Sequence, residues 1–228
     1  MIVAKDIVKS FKSGEGALVV LKGISFEVKS GDFISITGRS GSGKSTLMYQ
    51  LGLLDRPNSG SIIIDGVDTE TLGSEERTKM RLEELGYVFQ DYALIPELTA
   101  LENVLVPLLM QGLDRKNATK KAEISLDRIG LGDRLDHLPA KLSGGEQQRV
   151  SVARAIAHEP KIIFADEPTA NLDSDTAKKV LDNFISLNRE GQTIIMVTHE
   201  PEYARLTDRV ITLSDGLITN DIKNAKSS

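Results

Sequence analysis

The sequence contains no cysteine, which removes disulfide scaffolds, thiolate zinc sites, iron–sulfur clusters and cysteine nucleophiles together. No apolar run approaches the ~18 residues needed to cross a bilayer. The start, Met1-Ile2-Val3-Ala4-Lys5-Asp6, lacks the long apolar core of a secretion signal. The expectation is a chain that is soluble by itself, for which a reducing cytoplasm is suitable. An excess of basic charge is also missing. The 28 Lys and Arg against 33 Asp and Glu leave a formal net charge of -5, which disfavours broad coating of nucleic acid. Internal repeats and low-complexity linkers are absent as well. What is present is a 228-residue chain that is 40% hydrophobic, enough for one large domain or a core with a smaller insertion, and too apolar for global disorder.

Short β-branched runs, such as Phe33-Ile34-Ser35-Ile36-Thr37, Ile162-Ile163-Phe164-Ala165 and Thr193-Ile194-Ile195-Met196-Val197, alternate with helical patterns. This alternation predicts an α/β protein with a mainly parallel sheet. Residues 2–29 read instead as strands broken by the turn-prone Lys12-Ser13-Gly14-Glu15-Gly16, an antiparallel β layer. Strand patterns stop after Asp91, and 102–110, 117–129 and 145–158 read as helices, with Pro107 expected to kink or split the first. The expected organisation is one domain over 1–228. A nucleotide-binding core of 1–90 and 159–222 would carry a helical insertion, 91–158, and a flexible tail, 223–228. After the insertion, Ala177, Val180, Leu181, Phe184 and Leu187 mark the buried stripe of an amphipathic helix.

Gly38-Arg39-Ser40-Gly41-Ser42-Gly43-Lys44-Ser45 satisfies G-x-x-x-x-G-K-[ST] between an apolar strand and a helical stretch opening at Thr46, the context this phosphate-binding loop requires. The glycines let backbone N–H groups converge on phosphate. The helix start adds its positive end, Lys44 would reach the β and γ phosphates, and Ser45 would bind Mg²⁺. The strand 162–165 ends in Asp166-Glu167-Pro168, two carboxylates at the C-terminal edge of a sheet, where ligands of open α/β folds sit. Alone, that tripeptide is as readily an ordinary strand-ending turn. Behind a phosphate loop it assigns Asp166 to Mg²⁺ and leaves Glu167 to polarise the attacking water as general base. Further on, Ser143-x-x-Glu146 is a capping box that would open a helix toward an anion. A plain cap explains Ser143 and Glu146 but gives no reason for Gly144 and Gly145, which allow close backbone approach.

Leu142-Ser143-Gly144-Gly145-Glu146-Gln147-Gln148-Arg149 resembles the signature motif of ATP-binding cassette ATPases, and the resemblance covers nearly the whole chain in the family's motif order. It implies a phosphate-loop core, an antiparallel β subdomain and a helical signature subdomain. It implies that Phe11 stacks on adenine, that Gln90 stands near Mg²⁺ and the attacking water, that Asp173 belongs to the loop crossing a subunit interface, and that His199 contacts the γ-phosphate. Singly, Phe11 reads as core, Gln90 as a strand end and His199 as a hydrogen-bonded surface residue. Phe89-Gln90-Asp91 followed by 94–104 is similar to the branch holding lipoprotein-releasing, macrolide-efflux and cell-division cassettes. Thr99-x-x-Glu102 within it is a second capping box. Arg39 stands where this branch usually has Pro, and Glu146 where Gln is often found.

The resemblance further implies two copies packed head to tail around ATP and Mg²⁺. Ser143, Gly144 and Gly145 of one would complete a γ-phosphate shell begun by Lys44, Ser45, Gln90 and His199 of the other. An integral membrane permease would be the partner, placing the protein on the cytoplasmic face of the membrane, with separate cassette subunits of this kind resembling those of bacteria and archaea. Tyr92, Leu94, Ile95 and Leu98 either receive a short permease helix in a groove or pack inside the insertion. A soluble cassette ATPase acting on nucleic acid or ribosomes is the alternative. It usually carries two cassettes or a long coiled-coil insertion, for which this chain has no room. A nucleotide-sensing scaffold without turnover is disfavoured by the presence of Glu167 and His199.

Overall fold

The computed structural model describes residues 1–14 and 16–224. In chain order the first elements are β1 (Ile2–Ser13), β2 (Gly16–Val28), β3 (Phe33–Thr37), α1 (Lys44–Leu51), β4 (Ser59–Ile64), β5 (Val67–Asp68) and α2 (Ser74–Glu84). Then come β6 (Leu85–Val88), α3 (Ala100–Met110), α4 (Arg115–Arg128), a 3-10 turn (Pro139–Lys141), α5 (Gly144–Ile156), β7 (Ile162–Asp166) and α6 (Ser174–Arg189). The chain closes with β8 (Thr193–Val197), α7 (Pro201–Ala204), β9 (Arg209–Ser214) and β10 (Leu217–Lys223). Two compact units result, Met1–Thr78 with Gly191–Ser228, and Lys79–Glu190.

The first unit holds two sheets. One has the order β2-β1-β4-β5 and is antiparallel throughout, as the turn-punctuated start of the sequence predicts. Ile2, Ala4, Ile7, Leu21, Ile24, Phe26, Ile62 and Ile64 fill its inner face. The other strands run in the order β10-β9-β3-β8. There β3 is parallel to both β8 and β9, and β10 is antiparallel to β9. Every residue of β8 is buried, which is why it reads as a continuous apolar run rather than an alternating one.

The second unit pairs β6 with β7 in parallel, Leu85 opposite Ile162, and packs α3, α4, α5 and α6 around Val104, Leu108, Ala122, Leu126, Val150 and Ala153. The stripe Ala177, Val180, Leu181, Phe184 and Leu187 is the buried face of α6, as expected. Two expectations are narrowed. Of the kink or split expected at Pro107, the split does not occur, since α3 runs unbroken from Ala100 to Met110. The hydrogen bond a mid-helix proline removes, roughly 3 kcal/mol with its steric clash, is offset by burial of Val104, Leu105 and Leu108, each worth about 1.5–3 kcal/mol. The tail does not loosen at Lys223, the last residue of β10. Asn224 donates its N–H to the Asp208 carbonyl at 2.9 Å and its side-chain amide to that of Thr207 at 2.6 Å. Residues 225–228 lie outside those described. The stretch 91–158 is helical without a strand among its residues, but the compact units divide after Thr78 and Glu190, because β6 packs against α5 and pairs with β7.

Candidate active site

In the first unit the chain leaves the buried strand β3 and turns through three glycines with positive φ, Gly38, Gly41 and Gly43. At Gly38 a side chain is excluded twice over, since its Cβ would overlap the Leu213 carbonyl and lie 2.7 Å from Ser42 Oγ. Gly43 ends the loop as the N-cap of α1, with no side chain capping the helix and no acidic residue in its first turn. The N–H groups of that turn therefore keep their positive end open toward the loop. Lys44 is folded back over this loop, only 6% exposed, and its ammonium donates to the Arg39 carbonyl at 3.1 Å. The same carbonyl accepts the Ser42 N–H at 3.2 Å, while the Arg39 side chain points outward among exposed residues. Ser42 Oγ is buried without a hydrogen-bond partner. A buried hydroxyl left unpaired costs about 1–3 kcal/mol. Beside an ammonium and an open helix start, it fits a phosphate that would accept from all three. Ser45 and Thr46 are the half-buried residues of the first turn.

Two further expected residues lie in this unit. Phe11 on β1 is 44% exposed, so it is a surface ring rather than core. His199 follows β8, half exposed, with Nε2 3.2 Å from Glu200 Oε1.

In the second unit Asp166 is the buried last residue of β7. Glu167 is left-handed at φ 45°, a backbone state that costs a non-glycine residue of order 1–3 kcal/mol and clusters at functional sites. Gln90 follows β6 as an exposed residue, and its carbonyl accepts from Asn171 Nδ2 at 3.0 Å. Tyr92 and Ala93 are consecutive left-handed residues, φ 62° and 48°, and the guanidinium of Arg154 on α5 donates to both their carbonyls. Burial lowers the Arg154 pKa and Asp91 opposes the shift. The segment after Gln90 is thus fastened to the signature helix. Asp173 caps α6, accepting the Thr176 N–H at 3.0 Å.

Both capping boxes form. Ser143 Oγ accepts the Glu146 N–H, and Glu146 Oε2 accepts the Ser143 N–H at 2.8 Å. The bond from the Ser143 N–H is the largest influence holding the Glu146 carboxyl below its usual pKa, and Arg134 adds to it. Arg134 Nε donates to Glu146 Oε1 at 3.0 Å, an ion pair that gives a reason for a carboxylate at this position. The two glycines also gain a cause inside the chain. A Cβ at Gly145 would collide with Thr176 Cγ2 on α6, and one at Gly144 would lie 2.9 Å from the Tyr92 hydroxyl. One signature residue is odd: Gln148 is fully buried, with neither amide atom hydrogen-bonded.

Of the expected groove residues, Ile95 is 42% exposed, while Tyr92, Leu94 and Leu98 are half-buried. Asn103 pins the loop beneath them, donating to the carbonyls of Ile95, Leu98 and Thr99 and accepting the Ile95 N–H. Sequence reasoning passed over Arg154 and Thr176, and it placed Asn103 and Asn171 in their motifs without a partner for either. The carbonyls and the glycine these residues meet leave no pattern to read.

A glycine loop opening an uncapped helix behind a buried strand, with a parallel strand that ends on adjacent carboxylates, defines a phosphate-loop nucleoside triphosphatase. Residues 21–170 match the ABC transporter family model, and the chain belongs to that family as an ATP-binding, ATP-hydrolysing cassette. It is 52% identical over 203 residues to the lipoprotein-releasing system ATP-binding protein LolD of Aquifex aeolicus, covering 89% of this chain and 91% of LolD. It is 48% identical over 220 residues to the macrolide export ATP-binding/permease protein MacB of a Shewanella species, covering 96% of this chain and 34% of MacB. The solved ATP-binding cassette MJ0796, a dimer in a post-hydrolysis state bound to ADP and Pi, matches with a TM-score of 0.92 and 41% identity over 100% of both chains. The lipoprotein-releasing and macrolide-efflux kinship expected from the segment after Gln90 is borne out.

Proposed function

We propose that this cassette works as a homodimer that closes around two ATP molecules and transmits the closure to a separate integral membrane permease at the cytoplasmic face. The observation that carries this reading is the full-length likeness to a dimeric cassette bound to ADP and Pi, in a chain with no helix long and apolar enough to cross a membrane among the described residues. MacB joins ATP-binding and permease functions by name, and this chain spans about a third of it. LolD, matched over 91% of its length, is named as the ATP-binding protein of a releasing system, which supports a permease partner for the cassette.

Each residue then has a task. Lys44 and the loop N–H groups from Gly38 to Thr46 hold the phosphates, with Ser40, Ser42 and Ser45 adding hydroxyls. Phe11 stacks the base. Ser45 and Asp166, with Gln90 near them, would hold Mg²⁺. Among the described residues no cluster of three or more His, Cys, Asp or Glu could hold a metal, which suits an ion carried mainly by phosphate oxygens and water. Bound there, Mg²⁺ supplies charge neutralisation at the transferring phosphoryl group. Glu167 takes the proton of the attacking water, and His199 and Gln90 orient the water and the γ-phosphate. Ser143, Gly144 and Gly145 of the second copy offer the N-terminus of α5 to the same phosphate, with Asp173 beside the contact. ATP is then part of the dimer interface, and its hydrolysis releases the two copies.

The test is mass by light scattering of Glu167→Gln with and without Mg-ATP. A dimer that requires ATP is the expected result. A monomer in both conditions, with ATP shown to be bound, would refute the sandwich.

A further inference from the structure

Lys9 is a charged residue in the antiparallel sheet, 9% exposed, on the same strand as Phe11. Its ammonium lies 5.2 Å from the centroid of the Phe11 ring, 2.7 Å from Asp55 Oδ2, and donates to the Arg56 carbonyl at 2.7 Å. Burial raises the Asp55 pKa, but hydrogen bonds from Lys9, the Arg56 N–H and Gln50 outweigh it and hold the carboxyl below its ordinary value. The Asp55 carboxyl is therefore ionised at neutral pH.

Asp55 does not end the chain of contacts. Its Oδ2 also accepts from Gln50 Nε2 at 2.9 Å, and Gln50 is a buried residue of α1, the helix that begins at Lys44. The segment that follows α1 is sewn to the same stretch of β1, where Asn58 donates its N–H to the Val8 carbonyl at 2.8 Å and accepts the Ser10 N–H on Oδ1 at 2.7 Å. The surface ring and the phosphate-binding helix are thus joined through Lys9, Asp55 and Gln50. A cation against an aromatic ring is attracted to its electron-rich face. Phe11 keeps 44% of its surface exposed, which leaves ring area for a second planar group.

We infer that Lys9 is a positioning residue for the nucleotide base: held by Asp55 against Phe11, it fixes the ring at a set distance from the phosphate loop and polarises it to stack a purine. The inference rests on the nucleotide site proposed above. It predicts a contribution confined to the base and absent from the triphosphate.

Calorimetry on the full chain with two probes, ATP and inorganic tripolyphosphate, separates these. In Lys9→Met, ATP affinity falls by about two- to fivefold, the lower range of a cation–π contact, while tripolyphosphate affinity and kcat are unchanged. The double variant Lys9→Met/Asp55→Asn, which strands no carboxylate, shows the same selective loss, and Lys9→Arg restores ATP binding. Equal losses for both probes, or ATP affinity unchanged in both Met variants, would overturn the inference while leaving the nucleotide site standing. A wild-type protein that binds tripolyphosphate as tightly as ATP overturns the role of the base. One that binds neither overturns the site as well.

Discussion

Gly145→Ala tests whether the signature glycine is demanded by the chain's own packing. Alanine is the better helix former by about 1 kcal/mol, and Gly145 lies inside α5, so propensity alone predicts stabilisation. Against this, the new Cβ would stand under 3.0 Å from Thr176 Cγ2, where carbon atoms prefer about 3.5–4.0 Å. Thr176 belongs to α6, and its β-branched side chain has few χ1 alternatives in a helix. Overpacking of this kind costs about 1–3 kcal/mol. The net expectation is destabilisation by up to about 2 kcal/mol. In a chain of this size that lowers the melting temperature by up to about 8 °C, at about 2–4 °C per kcal/mol. Thermal unfolding without nucleotide measures it. Thr176→Ser removes the offending methyl and keeps the N–H that Asp173 accepts, so in that background Gly145→Ala should be neutral or stabilising. If Gly145→Ala alone melts above the wild type, the packing account of this glycine is wrong, and only approach to a ligand remains to explain it.

Lys44→Ala should weaken ATP binding itself, since it removes the ammonium that donates to the Arg39 carbonyl of the phosphate loop; unchanged affinity by calorimetry would count against the assignment. Glu146→Gln should cost less than about 1 kcal/mol at pH 7, because its ion pair with Arg134 is partly exposed. The Glu146 pKa is depressed in the fold, so its contribution is complete above the unfolded carboxylate range and fades as pH falls through the folded value. The two proteins should therefore converge in acid, and denaturation midpoints that diverge there would contradict the pairing. Arg154→Met leaves the carbonyls of Tyr92 and Ala93 without their donor and should destabilise the fold by about 1–3 kcal/mol. A melting temperature equal to the wild type would show that the two left-handed residues hold their shape unaided.

The sequence made the fold legible wherever local chemistry and global structure agree. The runs of β3, β7 and β8 announce buried parallel strands, the capping boxes of α3 and α5 form as spaced, and the stripe of α6 is the buried one. Pro107 misled because a local breaker was overruled by burial of Val104, Leu105 and Leu108, a tertiary effect. α2 was passed over because its charged sequence, Ser74-Glu75-Glu76-Arg77 onward, has little apolar period. At the site, the phosphate loop and the Asp166-Glu167 pair were legible as motifs. The fastening of Gln90 and its neighbours by Asn171 and Arg154 was not, because backbone carbonyls carry no sequence signal. Nor was Lys9, whose partners stand 2 and 46 positions along the chain from it.

Helices α3, α4, α5 and α6 are each closed at the start by a side chain of their own, Thr99, Asp114, Ser143 and Asp173, whereas α1 begins at a bare glycine beside a hydroxyl with nothing to bond. A nucleotide phosphate bound at that helix start would serve the fold as well as the chemistry. Ligand at about a hundredfold above its dissociation constant adds about 2.7 kcal/mol to stability by mass action, so the melting temperature should climb with nucleotide concentration.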